Sequence, residues 1–195
     1  MKVLILDTGC ANFSSVKFAI RRLGYTPIIS NEYSDIVSSK RIIFPGVGTP
    51  FSAMDVLKKK KIVDLIKNYS NPILGICLGM QLFCKYSEES KSVKNLNIIK
   101  YSITCLNNNL PLPHIGWNKV FSCKKNVLFK NILEGSRFYF LHKYILFLNK
   151  YSILKTKYGC KFTAALQKNN FFGVQFHPEK SGTVGLHLLK NFLEI

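Results

Sequence analysis

The sequence predicts an α/β fold built on an open, mixed, mostly parallel central sheet, flanked by helices and carrying an antiparallel extension. Three observations predict it. In the first half of the chain, short β-rich runs alternate with helical patterns, the arrangement of βα units packed around parallel strands. In the second half, β-rich runs follow one another closely with Gly, Asn and Pro between them, which favours antiparallel pairing. The 195 residues contain no internal repeat, low-complexity tract or convincing linker, so residues 1–195 are expected to form one domain.

The elements follow in order. "KVLILD" reads as the first strand, and "SSVKFAIRRL" as an amphipathic helix whose Val16, Ile20 and Leu23 recur at helical spacing. "TPIIS" and "RIIFPG" are the next strands. "FSAMDVLKKKKIVDLIKNY" reads as one helical pattern, with Met54, Leu57, Ile62 and Leu65 forming a less regular stripe and Lys58 to Lys61 on a solvated face. "PILGIC" is a strand ending in glycine and cysteine. "NIIKYSITCL", "RFYFLHKYILF", "YSILKTKY", "FTAALQK" and "FFGVQFHP" supply the extension, His114 falls in a loop after Pro113, and "VGLHLLKNFLE" is the closing helix.

Composition narrows the function classes. Hydrophobic residues make up 47% of the chain, enough for a packed core, yet no apolar stretch is long enough to cross a bilayer. The N-terminal run ends at Asp7 and lacks a signal-peptide core and cleavage site, so a cytoplasmic location is expected. The net charge of +18 invites a nucleic-acid reading, but the charge is nearly all scattered Lys. Arg occurs only at 21, 22, 41 and 137, and base or phosphate recognition leans on its planar fork. No nucleic-acid partner is therefore expected. The six cysteines, at 10, 77, 84, 105, 123 and 160, form no C-x-x-C pair and no zinc-finger spacing, so neither metal nor other cofactor is expected.

One cysteine stands in an unusual setting. "GICLGMQ" places Cys77 between Gly75 and Gly79 where a strand enters and a helix leaves, the pattern of a nucleophile elbow. There the unpaired amides of a helix start stabilise a thiolate, and the Leu78 N–H points toward an oxyanion beside the sulfur. Gln81, one turn on, falls on the same face. A buried cysteine in a glycine-containing turn is the plainer alternative on this segment alone. "GVQFHPEK" supplies the matching base: His177 leaves the end of an apolar strand, and Glu179 follows across the stiffening Pro178. A strand-end histidine is by itself more often structural, but with an elbow cysteine a Cys–His–Glu triad becomes the stronger reading. In "IIFPGVGT", Gly46 and Gly48 make a turn whose amides can donate to an oxyanion, and no phosphate-loop pattern is present.

With the glycine turn "PGVG", the elbow "GICLGMQ" and the late "FHPE" in this order, the chain resembles a class I (triad) glutamine amidotransferase over nearly its whole length. That resemblance implies a flavodoxin-like fold in which Cys77, His177 and Glu179 hydrolyse the side-chain amide of glutamine. It implies oxyanion donors at Val47, Gly48 and Leu78, and glutamine contacts at Gly46, Gly48, Gln81, Lys143 and Tyr144. Within the class, "LDTGCAN", "LPLPHIGWN", "FYFLHKY" and "GVQFHPEKSG" are similar to glutaminases that pass ammonia to a separate (β/α)8-barrel cyclase of histidine biosynthesis. Those enzymes make imidazole glycerol phosphate and an aminoimidazole carboxamide ribonucleotide. Asn12, Trp117, Tyr139 and Lys180 are then interface positions, and activity of the isolated chain should be low. One departure stands out: after His142 the family usually carries Ser, and this chain has Lys143. A glutaminase for another acceptor, an elbow-cysteine hydrolase or chaperone-like protein, and a noncatalytic basic binding module remain as alternatives.

Overall fold

The computed structural model describes residues 1–9, 13–46, 48–90, 93–107 and 109–195. Its first half winds β1 (Val3–Leu6), α1 (Ser14–Arg22), β2 (Pro27–Ser30), α2 (Tyr33–Ser38), β3 (Arg41–Phe44), α3 (Pro50–Lys59), α4 (Val63–Lys67), β4 (Ile73–Ile76) and α5 (Leu78–Leu82). The second half adds β5 (Thr104–Cys105), β6 (His114–Lys119), β7 (Phe121–Ser122), β8 (Arg137–His142) and β9 (Tyr144–Ile145). It continues through β10 (Ser152–Tyr158), β11 (Cys160–Lys168) and β12 (Phe171–Val174), and closes with α6 (Gly182–Leu193).

Eight strands form the main sheet in the order β2-β1-β3-β4-β12-β11-β10-β7. The pairs from β2 to β12 are parallel and those from β12 to β7 antiparallel, so the predicted mixed sheet with its antiparallel extension is present. The parallel part follows the flavodoxin-like order 2-1-3-4-5 with β12 as its fifth strand. Helices cover both faces, which is why the central strands are apolar at nearly every position, Arg41 at the start of β3 apart, rather than alternating. Val3, Ile5, Ile43, Leu74 and Ile76 pack with α1 and α6 on one face. Leu4, Leu6, Ile42, Phe44 and Ile73 pack with α2, α3, α4 and α5 on the other.

Four readings of the sequence need correction. Residues 51–69 are two helices, not one. The chain reverses at Lys61, whose φ is +56°, while Ile62 N–H bonds to Leu57 C=O and Lys61 N–H to Lys58 C=O. This is a Schellman stop with lysine where glycine is usual, and it folds Ile62 back into the core beside Leu57. Helix α2, with Ile36 buried, was not foreseen. Most of "NIIKYSITCL" is irregular: Leu96, Asn97 and Ile99 donate to the 82–84 carbonyls, and only Thr104 and Cys105 form a strand. Finally, His114 lies in a strand, β6, which pairs with β8 throughout its length.

Register positions the chemistry. Phe44 of β3 faces Gly75 of β4, and Gly173 and Val174 of β12 face Gly75 and Ile76. The three strands therefore end side by side, and the residues just beyond them, near 46, 77 and 177, meet at one carboxyl edge. The strand end carrying His177 is anchored by Phe176, which is fully buried and stacks on Phe138 at 4.1 Å between ring centroids. Such a pair contributes about 0.5–1.5 kcal/mol beyond its burial.

Candidate active site

Cys77 occupies the position between β4 and α5 with φ +51° and ψ −106°, a conformation that costs about 1–3 kcal/mol for a residue other than glycine. Its surroundings hold it there. The Cys77 N–H extends the ladder to Val174 C=O at 2.7 Å, and its carbonyl accepts from Gln81 N–H at 3.1 Å. The glycines permit the approach: a Cβ on Gly75 would sit 2.6 Å from the Gly79 backbone, and one on Gly79 only 2.1 Å from Phe44 C=O. Because α5 has only five residues, any stabilisation of charge at the sulfur would rest on its first-turn amides, Leu78 N–H among them, rather than on a long helix dipole.

The histidine and glutamate come from the end of β12. His177 Nδ1 donates to Glu179 Oε1 at 2.7 Å, with the two side chains only 7% and 5% exposed. That bond commits Nδ1 and turns Nε2 toward Cys77. Burial presses the His177 pKa down, but the charge of Cys77 and its hydrogen bond, followed by the bond and charge of Glu179, override this and raise it to about 10. The imidazole is thus held protonated between sulfur and carboxylate. Residues 77 and 177 meet because β4 and β12 are adjacent in the sheet.

Beside the sulfur opens a pocket of about 330 Å³, lined by Gly46, Gly48, Cys77, Leu78, Gln81, Lys143 and Tyr144 together with Glu89, Leu141 and His142. The structure thus brings the expected glutamine contacts together. Val47 and Asn12 lie outside the described residues. Lys143 is exposed, and its carbonyl accepts from Leu106 N–H at 2.8 Å. Glu89 was missed by the sequence reading; burial raises its pKa. Its one signal was scarcity, since the chain has only ten acidic residues. A larger groove of about 520 Å³ is lined by Val127, Phe129, Ile132 and Leu133 among others, but no cysteine or histidine reaches it. Among the described residues no cluster of three or more His, Cys, Asp or Glu could hold a metal ion.

Behind the pocket lies a histidine pair that the sequence did not disclose. His142 Nδ1 donates to Tyr144 C=O at 3.0 Å, so its Nε2 accepts from His114 Nδ1 at 3.0 Å, and His114 Nε2 accepts from Asn118 Nδ2 at 3.3 Å. Both rings are buried. Burial lowers the His114 pKa to about 4; burial, then the neighbouring His114, lower that of His142 to about 3, against the pull of its bond to Tyr144. Unfolded, each binds a proton near pH 6.5; folded, neither does until the pH is far lower. Their contribution to stability is therefore complete above about pH 6.5 and is lost as the pH falls toward about 4. Thermal unfolding followed between those values should show the midpoint dropping by several degrees. A flat profile would contradict the neutral pair.

Trp117 and Tyr139 are cross-strand partners on the outer face of the β6–β8 ribbon, their ring centroids 6.1 Å apart, and Trp117 is 54% exposed rather than part of the core. The Tyr139 backbone also clasps the triad turn: its C=O accepts from His177 N–H at 2.8 Å, and its N–H donates to Ser181 Oγ at 2.9 Å. Lys180, on the same turn, is exposed.

The family description "Glutamine amidotransferase class-I" matches residues 4–195. The chain is 56% identical over 196 residues to the imidazole glycerol phosphate synthase subunit HisH of Buchnera aphidicola subsp. Acyrthosiphon pisum, with 100% of both chains covered. To the subunit of the same name from Salmonella typhimurium it is 52% identical, again over 100% of both. Among solved structures, the fold is similar to that of a glutamine amidotransferase, with TM-score 0.77 at 17% identity over 100% of this chain and 98% of that one. It is also similar to PurLQS from Thermotoga maritima, with TM-score 0.73 at 19% identity over 99% and 97% of the two chains.

Proposed function

Because this chain belongs to the class I glutamine amidotransferase family, we infer that it is the glutaminase subunit of an imidazole glycerol phosphate synthase of histidine biosynthesis. It hydrolyses glutamine to glutamate and acts as one subunit of a complex. The observation that most supports this reading is the pairing of a buried imidazole and carboxylate with an elbow thiol at the mouth of a pocket the size of a small-molecule site.

The Cys77 thiolate attacks the carbonyl carbon of the glutamine side chain. The resulting oxyanion is met by the Leu78 N–H and by the Gly48 N–H; loss of one such donor typically costs about 2.7–4 kcal/mol of transition-state stabilisation. Protonated His177 hands its proton to the nitrogen as the C–N bond breaks, releasing ammonia and leaving a thioester. His177 then takes a proton from water as that water attacks, and glutamate leaves. Glu179 keeps the ring oriented throughout. Glu89 would meet the substrate ammonium, and Gln81 and Tyr144 border the same pocket.

Ammonia must escape bulk water, where protonation would remove its lone pair, so the acceptor enzyme has to cover the site. We propose that this partner is a (β/α)8-barrel cyclase, that it docks over Asn12, Trp117, Tyr139 and Lys180, and that the pair works in the cytoplasm. The exposed ring of Trp117 beside Tyr139 supports that face, and no described helix is long and apolar enough to cross a membrane. Residues 1–195 act as a single amidotransferase domain. The test is glutamine turnover by the chain alone and with purified cyclase and its ribonucleotide ligand. Assembly is expected to accelerate turnover on the order of 10²-fold, the upper range of ordinary coupling between sites. Equal rates with and without cyclase would refute the coupling, and acceleration by a different acceptor enzyme would reassign the partner.

A further inference from the structure

The mechanism above leaves one buried polar side chain beside the nucleophile without a task. Gln175 is fully buried just beyond β12, its N–H bonded to Ala164 C=O at 2.8 Å. Its Nε2 lies 3.6 Å from Cys77 Sγ, and its Oε1 accepts from Gln81 Nε2 at 3.1 Å. The direction of this amide is not free. Gln81 Nε2 also donates to Tyr144 C=O at 3.1 Å, and that same carbonyl accepts from His142 Nδ1 at 3.0 Å. The Tyr144 carbonyl can only accept, so an oxygen in place of Gln81 Nε2 would face it with no proton between them, and Gln81 is fixed as donor. Gln175 must then turn its oxygen to Gln81 and its N–H to the sulfur. The His142–His114–Asn118 chain continues the same ordering to the ribbon that carries Trp117.

We propose that Gln175 is a further catalytic residue of the glutaminase reaction, its carboxamide N–H gripping the Cys77 sulfur and receiving the negative charge that returns to it when the thioester breaks. The opposing contact, Cys77 Sγ to Leu141 C=O at 3.6 Å, serves the neutral thiol, whereas a donor serves the thiolate. Charge at sulfur is small in the thioester and grows as the C–S bond breaks. A fixed donor therefore stabilises the departing thiolate more than the acyl-enzyme, and its effect falls on deacylation. In that step water adds to the thioester carbon, its proton passes to His177, and the C–S electron pair remains on sulfur facing Gln175.

The assignment rests on the glutaminase reading, and the experiment separates the two. In the complex with cyclase, Gln175→Met removes the donor at similar volume, and Gln175→Glu keeps the shape but faces the sulfur with a carboxylate. Steady-state glutamine hydrolysis is combined with acid quenching and mass measurement of the acyl group on Cys77. Both variants should lower kcat by about 10- to 100-fold, the range for a hydrogen bond to a charged group. KM should stay level or fall, and the thioester should accumulate. Ammonia-dependent synthesis by the same complexes reports folding and assembly, and if Gln175→Met fails it, Gln175→Glu decides. An unchanged kcat, or a lost kcat with raised KM and no thioester, overturns the role of Gln175. Absence of glutamine turnover and thioester in the wild-type complex overturns the glutaminase reading itself, and this assignment with it.

Discussion

Cys77→Ala is expected to abolish glutamine hydrolysis while leaving ammonia-dependent synthesis by the assembled complex intact. The loss should be on the order of 10⁶-fold in kcat, the scale seen when the nucleophile of a comparable triad is removed. Among the described residues no other thiol can substitute. Cys84 is fully buried, with burial pushing its thiol well above the usual range, and Cys105, Cys123 and Cys160 do not line the pocket. The substitution itself is mild for the fold, because alanine keeps the Cβ at a backbone position fixed by the ladder bond to Val174 and the α5 bond from Gln81. Supplying ammonium salts bypasses the sulfur and asks only whether the chain folds and assembles. Glutamine activity within about tenfold of wild type would show that the thiol is not the nucleophile; loss of both reactions would show that the substitution harms assembly instead.

What was legible in the sequence was what local constraints dictate. The elbow could be read because Gly75, Cys77 and Gly79 impose it within five residues, and the His177–Glu179 pair because a single proline separates its members. The fold class followed from alternation of strand and helix, but the sheet order did not, since the β4–β12 pairing joins segments about a hundred residues apart in the chain. Strand β6 was hidden for a physical reason. Its inward residues begin with His114, and its outward ones include Ile115 and Trp117, both more than half exposed, so its polarity runs opposite to that of an ordinary half-buried strand. An apolar outer face is what a docking ribbon would present, and it defeats a period-two reading. The break after α3 was hidden because lysine, not glycine, takes the left-handed position. Gln175, Glu89 and the histidine pair carried no local signal; their roles come from neighbours supplied by other strands and loops.

Glu179→Gln should lower kcat by about 10³- to 10⁴-fold, the scale reached when the acid of a triad is neutralised in place, and should move the alkaline limb of the pH–rate profile to lower pH. The geometry gives the sign. His177 stays protonated up to about pH 10 although burial opposes it, because Cys77 and Glu179 both favour the charged ring. With the carboxylate replaced by an amide, one charge and one charge-assisted bond are gone while the burial remains, so the imidazole gives up its proton at lower pH. The imidazolium is then less populated, and the proton meant for the departing ammonia is lost sooner as pH rises. The same shift appears in stability. A folded-state pKa raised above the unfolded value stabilises the protein fully below about pH 6.5, and that stabilisation disappears as pH climbs toward about 10. Wild-type protein should therefore melt at progressively lower temperature across that interval, and Glu179→Gln less steeply. Rate profiles and melting curves collected together test one cause by two readouts. If the alkaline limb and the high-pH slope both stay where they are in wild type, the carboxylate is not what holds the proton on His177, and the orientation of the ring must come from the Tyr139 and Ser181 contacts to the turn instead.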